Sequence, residues 1–152
     1  MADKKVVSFI VGKEEYAVDI MLITSIIEME EITRLPNTPD FVEGVINLRG
    51  EVIPIISLRK KFGLGENEKN KKEERIIVVN IKSKDVGMVV DSVKEVLNLT
   101  EEQIEEPPSV VGGLKRTFLK GIAKQDDRLI VLIDAEKILT EDEMIKLKTN
   151  EN

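Results

Sequence analysis

Apolar residues along this chain come in short runs separated by charged or glycine-bearing breaks, the pattern of strands rather than of long helices. Val6 to Val11 and Tyr16 to Ile20 are two such runs, parted by GKEE, and they predict a β-hairpin turning at Gly12. Ile23, Ile26 and Ile27 follow at helix-like spacing, but the segment soon becomes EMEEITRLP, so a single helical turn leading into a strand is predicted. Pro36 and Pro39 break regular structure around Asn37. The stretch VINLRGEVIPI, Val45 to Ile55, then reads as two strands meeting at an Arg49-Gly50 turn. Val52, Ile53, Ile55, Ile56 and Leu58 leave little polar alternation, which predicts strands buried on both sides. Pro54 cannot donate to a strand ladder and marks an edge or a bulge. Ser57 caps a short helix, SLRKKFG, which Gly63 ends.

The polar stretch GLGENEKNKKEE reads as a solvated loop, after which RIIVVNIKSKDVGMVVDSV restarts a strand–turn–strand pattern. NLTEEQIEEPPS interrupts it, and FLKGIAKQDDRLIVLIDAEKIL is another hairpin with Asp126-Asp127 near its turn. Ala135, Ile138, Leu139 and Ile145 predict an amphipathic C-terminal helix, broken and restarted at the capping-box pair Thr140 and Glu143. Asp19 and Asp91 are expected to cap the short turns that follow them.

The two halves can be laid on one another. Glu43–Phe62 matches Lys120–Leu139, with Gly44 on Gly121, Ile53 on Ile130, Ile56 on Ile133 and Lys60 on Lys137. Tyr16–Ile27 matches Val86–Leu97, with Ile23, Ile26 and Ile27 on Val93, Val96 and Leu97. Two blocks in the same order point to duplication and to two small related β modules, residues 1–70 and 71–152. Each alone buries too little surface to be comfortable, so an apolar interface between them is expected to supply the rest. Nothing in the first strand names its neighbour, so it is free to complete the second module. At the place of Arg49 the second module carries Asp126, which leaves two readings of Arg49 open: a solvated turn residue, or a docking contact presented to a partner carboxylate or backbone.

Composition narrows the chemistry. In 152 residues, 41% hydrophobic and only 3% aromatic, the core must be built from Ile, Val and Leu. A net charge of −6, from 29 acidic against 23 basic residues, disfavours nucleic acid and anionic membranes as partners. No stretch approaches a membrane span or a signal sequence, so a cytoplasmic protein is expected. The absence of Cys and His excludes disulfides, thiolate zinc sites, catalytic thiols and imidazole chemistry, and no cofactor or metal site stands out. Asp91-Ser92-Val93 is similar to the Asp-Ser-Gly of duplicated β-rich aspartic proteases, which keeps a small Asp/Ser hydrolase as an alternative. It lacks the glycine, however, and the matching first-half site is Met21-Leu22-Ile23. A compact β protein without a visible reaction centre fits a binding module or adaptor better.

EEYAVDI, RLPNTPDFVEGVINLRG, VGMVVDSVKEVLNLTEEQI and DDRLIVLIDAEKIL, in this order and spacing, resemble the bacterial chemotaxis coupling proteins, the CheW family. The likeness covers nearly the whole chain. It implies a mainly β fold of two packed five-stranded SH3-like barrels with short helices. It also implies a non-enzymatic adaptor between the cytoplasmic tips of chemoreceptors and the regulatory domain of the histidine kinase CheA. Carried over by residue, it implies a partner-binding role for Arg49, Ile23 and Ile26, and a turn-shaping role for Asn47 and Gly50. Ser25 departs from the acidic residue some members carry there. An unrelated SH3-like scaffold remains the second alternative.

Overall fold

The computed structural model describes residues 3–65, 71–106 and 118–139. Among these residues eleven strands follow one another: β1 Lys4–Val11, β2 Glu14–Asp19, β3 Ile23–Glu28, β4 Val42–Leu48, β5 Glu51–Ser57, β6 Arg75–Ile81, β7 Lys84–Val90, β8 Ser92–Leu99, β9 Ile104–Glu105, β10 Leu119–Gln125 and β11 Arg128–Ile133. One sheet has the order β3-β6-β7-β5-β4 and the other β8-β1-β2-β11-β10-β9. Each closes on itself through an interrupted strand. The chain beyond β3 returns to β4 at the Thr33–Val45 bridge. The chain beyond β8 passes a 3-10 turn and returns to β10 as β9, with Glu105 opposite Ile122. The result is two five-stranded barrels, here the first (β3 to β7) and the second (β8 to β11 with β1 and β2).

The sheets do not divide at residue 70. The first barrel takes β6 and β7 from the second half, and the second barrel takes β1 and β2 from the first. The first strand therefore lies between β8 and β2, inside the second barrel. Repeat-matched pairs show that the exchange is reciprocal. Val6 stands opposite Asp19 and Leu97 in one barrel, and Ile76 opposite Val89 and Ile27 in the other. The parallel pairs Ile55–Gly87 and Leu132–Ala17 correspond in the same way. Duplicated segments with the same apolar pattern offer each other the same edges, so exchange preserves every contact type while tying the halves together.

Among the described residues three apolar clusters follow from this topology. Ile46, Ile53, Ile55, Ile76 and Val78 fill the first barrel, and the matched Ala123, Ile130, Leu132 and Val6 belong to the filling of the second. A larger cluster lies between the barrels and pairs matched residues across the join, including Phe41 with Phe118, Ile56 with Ile133 and Val18 with Met88. Such an arrangement resembles an isologous dimer interface within one chain. The four Phe and one Tyr all lie in that join or pack against it, so the barrel interiors are wholly aliphatic. Rings stack along it from Phe9 through Tyr16 and Phe62 to Phe118, at centroid distances of 6.0, 5.1 and 6.3 Å. Burial pushes the Tyr16 phenol up to about 12. Scarce aromatic bulk is spent where two curved surfaces leave the widest gaps.

Several local expectations hold. Asp19 caps the 3-10 turn Ile20–Leu22, its Oδ1 accepting from Met21 N at 2.9 Å. Ser57 caps the helix α1, Leu58–Lys61, and Gly63 beyond it takes a φ of 78°. Pro54 stands opposite Val45 in β5, just outside the stretch that pairs with β7, where its missing N–H costs no ladder bond. Others are corrected. The polar section after Asn98 contains β9, which closes a barrel. The described part of the C-terminal segment begins as a 3-10 turn, Ala135–Lys137, with Ala135, Ile138 and Leu139 buried in the join between the barrels. Thr140, Glu143 and Ile145 lie outside the described residues.

Candidate functional site

The β4–β5 hairpin is rooted in the join through Val42 and Ile56, so its tip points away from the second barrel. Leu48 pairs with Glu51, leaving Arg49 and Gly50 as the two turn residues, with φ of 54° and 85°. Positive φ at both central positions is the type I′ turn that matches the right-handed strand twist. Asn47 Oδ1 accepts from Gly50 N at 3.1 Å and locks the turn, so Asn47 and Gly50 shape it as their residue types require. Arg49 is exposed, and among the described residues it makes no ion pair or side-chain hydrogen bond. The left-handed conformation costs a residue such as arginine about 1–2 kcal/mol. Matched Asp126 has the same φ of 54°, but aspartate tolerates it. The backbone demand is common to both hairpins; the arginine is not explained by it.

The structure separates the other candidates. Ile23 is half-buried and packs against the inter-barrel core, at the opposite end of the first barrel from Arg49. Ile26 lies on β3 with 43% of its surface exposed, and matched Val96 is 55% exposed. Ser25 is half-buried, opposite Val78 beside a bulge in the β3–β6 pairing. Further apolar residues are exposed, among them Val52, which was expected in a strand buried on both sides. Met21 is 85% exposed; Val52 and its repeat partner Leu129 are 55% and 60% exposed. The legible signal was the pair itself, because both hairpins carry an apolar residue two places after the turn.

Asp91 is committed elsewhere. It does not cap a following turn. Its Oδ1 accepts from Arg59 Nε at 2.9 Å, its Oδ2 from Gly12 N at 2.8 Å, and its backbone N donates to Ile10 O at 2.9 Å. Arg59 Nη1 reaches Gly65 O at 2.7 Å. One carboxylate at the crossing from β7 to β8 thus ties α1 of the first barrel to the β1–β2 turn of the second. In the second barrel Glu15 is held by Arg128 and lies 3.5 Å from Lys94 Nζ. Burial raises the Glu15 carboxyl's pKa, but hydrogen bonds from Arg128 and Ser8, with the charges of Arg128 and Lys94, outweigh it and hold the group below its ordinary value. Among the described residues no group of three or more acidic side chains is arranged to hold a metal ion.

The first barrel thus carries at its β4–β5 tip an exposed arginine in the left-handed region, unpaired among the described residues. The CheW-like domain family matches residues 5–143. The chemotaxis protein CheW of Klebsiella aerogenes is 42% identical over 139 residues, covering 90% of this chain and 81% of that protein. The chemotaxis protein CheW of Thermotoga maritima is 39% identical over 137 residues, covering 90% and 88%. The crystal structure of the scaffolding protein TtCheW from Thermoanaerobacter tengcongensis superposes with a TM-score of 0.85 at 40% identity, covering 94% of this chain and 92% of that one. The chain belongs to the CheW-like domain family. It is accordingly a non-enzymatic chemotaxis adaptor.

Proposed function

We propose that this adaptor couples the cytoplasmic tips of chemoreceptors to the histidine kinase CheA, working in the cytoplasm without catalysis or cofactor. The observation that carries the reading is Arg49: exposed, unpaired among the described residues, and held in a conformation that disfavours it. Strain retained at a surface turn has no folding benefit, and supports a role in partner contact. Arginine suits such a role because its planar fork can grip a carboxylate or a backbone carbonyl on a partner. Ile26, an exposed aliphatic residue on the same barrel, is proposed as a contact residue. Ile23, packed against the join, is proposed to support the surface from beneath.

An isotope-edited NMR titration with the kinase's C-terminal regulatory domain tests this. Localised shifts on the first barrel around Ile26 and the Arg49 turn are expected, with Arg49→Glu keeping the dispersed spectrum and losing those shifts. Absence of shifts well above micromolar concentration, with both the kinase domain and a receptor-tip fragment, would overturn it.

A further inference from the structure

The two matched hairpins are held to their barrels to different depths. In the second barrel β11 pairs with β2 as far out as Ile130, which stands opposite Glu15. In the first barrel β5 pairs with β7 only from Ile55 to Ser57. That ladder ends at Pro54, in the place of Val131, because proline has no N–H to carry it further. The opposite edge repeats the difference. Val45 meets only Thr33, through backbone bonds of 2.9 and 2.8 Å, whereas β10 is covered at both Ile122 and Ala123.

Beyond the buried pair Ile46 and Ile53, the first hairpin therefore has no strand beside it among the described residues, and only Leu48 packs back on the core. Side chains widen the contrast. In the second hairpin Arg128 donates to Glu15 from Nε at 3.2 Å, and its Nη2 lies 3.1 Å from Glu95 Oε2. Lys124 Nζ lies 3.4 Å from Glu105 Oε1. Each of these ties crosses to another strand of the barrel. The first hairpin has Glu51 in the place of Arg128 and Asn47 in that of Lys124. Asn47 is turned back onto Gly50. The place of Glu15 belongs to Asp85, which precedes Val86 as Glu15 precedes Tyr16 and has the same sign as Glu51.

We infer that residues 47–52 are a movable arm hinged at the Ile46–Ile53 pair, whereas the matched residues 124–129 are fixed to their barrel. Unpaired edges and few buried contacts are what lower local stability. The bond from Gly50 to Asn47 keeps the shape of the turn, so the arm moves as a unit with Arg49 at its end. Its use rests on the adaptor reading: the kinase's regulatory domain takes Arg49 and orders the arm. A short arm lets one arginine reach its acceptor while only six residues lose freedom on binding.

Backbone amide NMR relaxation on the full wild-type chain tests the hinge without any substitution. Order parameters of about 0.6 are expected for residues 47–52, against about 0.85 for residues 124–129. Arg128→Gln should bring the second hairpin down toward the first. Glu51→Arg, which sets a cation in the place that pairs with a carboxylate in the other barrel, should bring the first hairpin up. Values near 0.85 in both wild-type hairpins would overturn the hinge and leave the adaptor reading standing. Adding the kinase's regulatory domain should raise the values of the arm. An arm that stays mobile in the bound complex keeps the hinge and removes Arg49 from the contact.

Discussion

At position 49 the chain keeps an arginine where the turn suits asparagine, aspartate or glycine. The type I′ geometry comes from the two-residue connection and the twist of β4 and β5, so it persists whatever side chain sits there. Arg49→Asn, which creates the preferred Asn-Gly pair, is therefore expected to raise stability by about 0.5–1 kcal/mol. Thermal melting should show this as a higher Tm, while titration with the partner shows weaker binding. A variant that melts lower would mean that Arg49 supports the fold through a contact of its own. The charge and its exposed setting were legible from the sequence; the strain was not. Arginine has no turn signature, and Gly50 alone suggested a turn without saying that the residue before it is left-handed as well.

Among the elements, the hairpins β4–β5 and β10–β11 show what repeat matching meant physically. Gly44 and Gly121, the identity that anchored the alignment, stand at the register shifts where each hairpin meets its barrel's closing strand. A Cβ on Gly44 would lie 2.1 Å from Thr33 O and 2.7 Å from Thr33 C, and its φ of 142° is unsuited to other residues. A Cβ on Gly121 would meet Ile104 Cγ2 at 2.8 Å and Glu105 O at 3.0 Å. The first obstruction is backbone that cannot step aside; the nearest atom in the second is a side-chain methyl that can turn. Gly44→Ala is expected to cost about 3 kcal/mol or more, and Gly121→Ala about 1–2 kcal/mol, measured by urea unfolding. Equal losses would show that the two closures are energetically alike. β9 escaped notice for a related reason. A two-residue strand in an acidic stretch has no period to detect, and only its partner β10 makes it a strand.

Across the whole molecule the exchange of strands makes the halves interdependent. Residues 1–70 supply β3, β4 and β5 to one barrel and β1 and β2 to the other, so neither barrel is complete within either half. Fragments 1–70 and 71–152 are each expected to lack amide dispersion in NMR spectra, and an equimolar mixture to regain it. A dispersed spectrum from either fragment alone would show that local pairing suffices. The aromatic row and the Asp91–Arg59 bridge bind the barrels further, the latter on one side only, since Met21 and Glu136 stand at the matching positions of the other half.

Strand content, the hairpins, the caps at Asp19 and Ser57, and the duplication were determined by sequence, because each rests on residues close in the chain and on the local physics of turns and periodicity. The blocks that resemble the CheW family were legible for the same reason. Which half completes which barrel, where Asp91 binds and the short strand β9 were decided only by tertiary structure. Matched segments present nearly identical edges and apolar faces, so sequence alone leaves self-pairing and exchange equally plausible. Closing two barrels at once around a shared aromatic join is what selects between them.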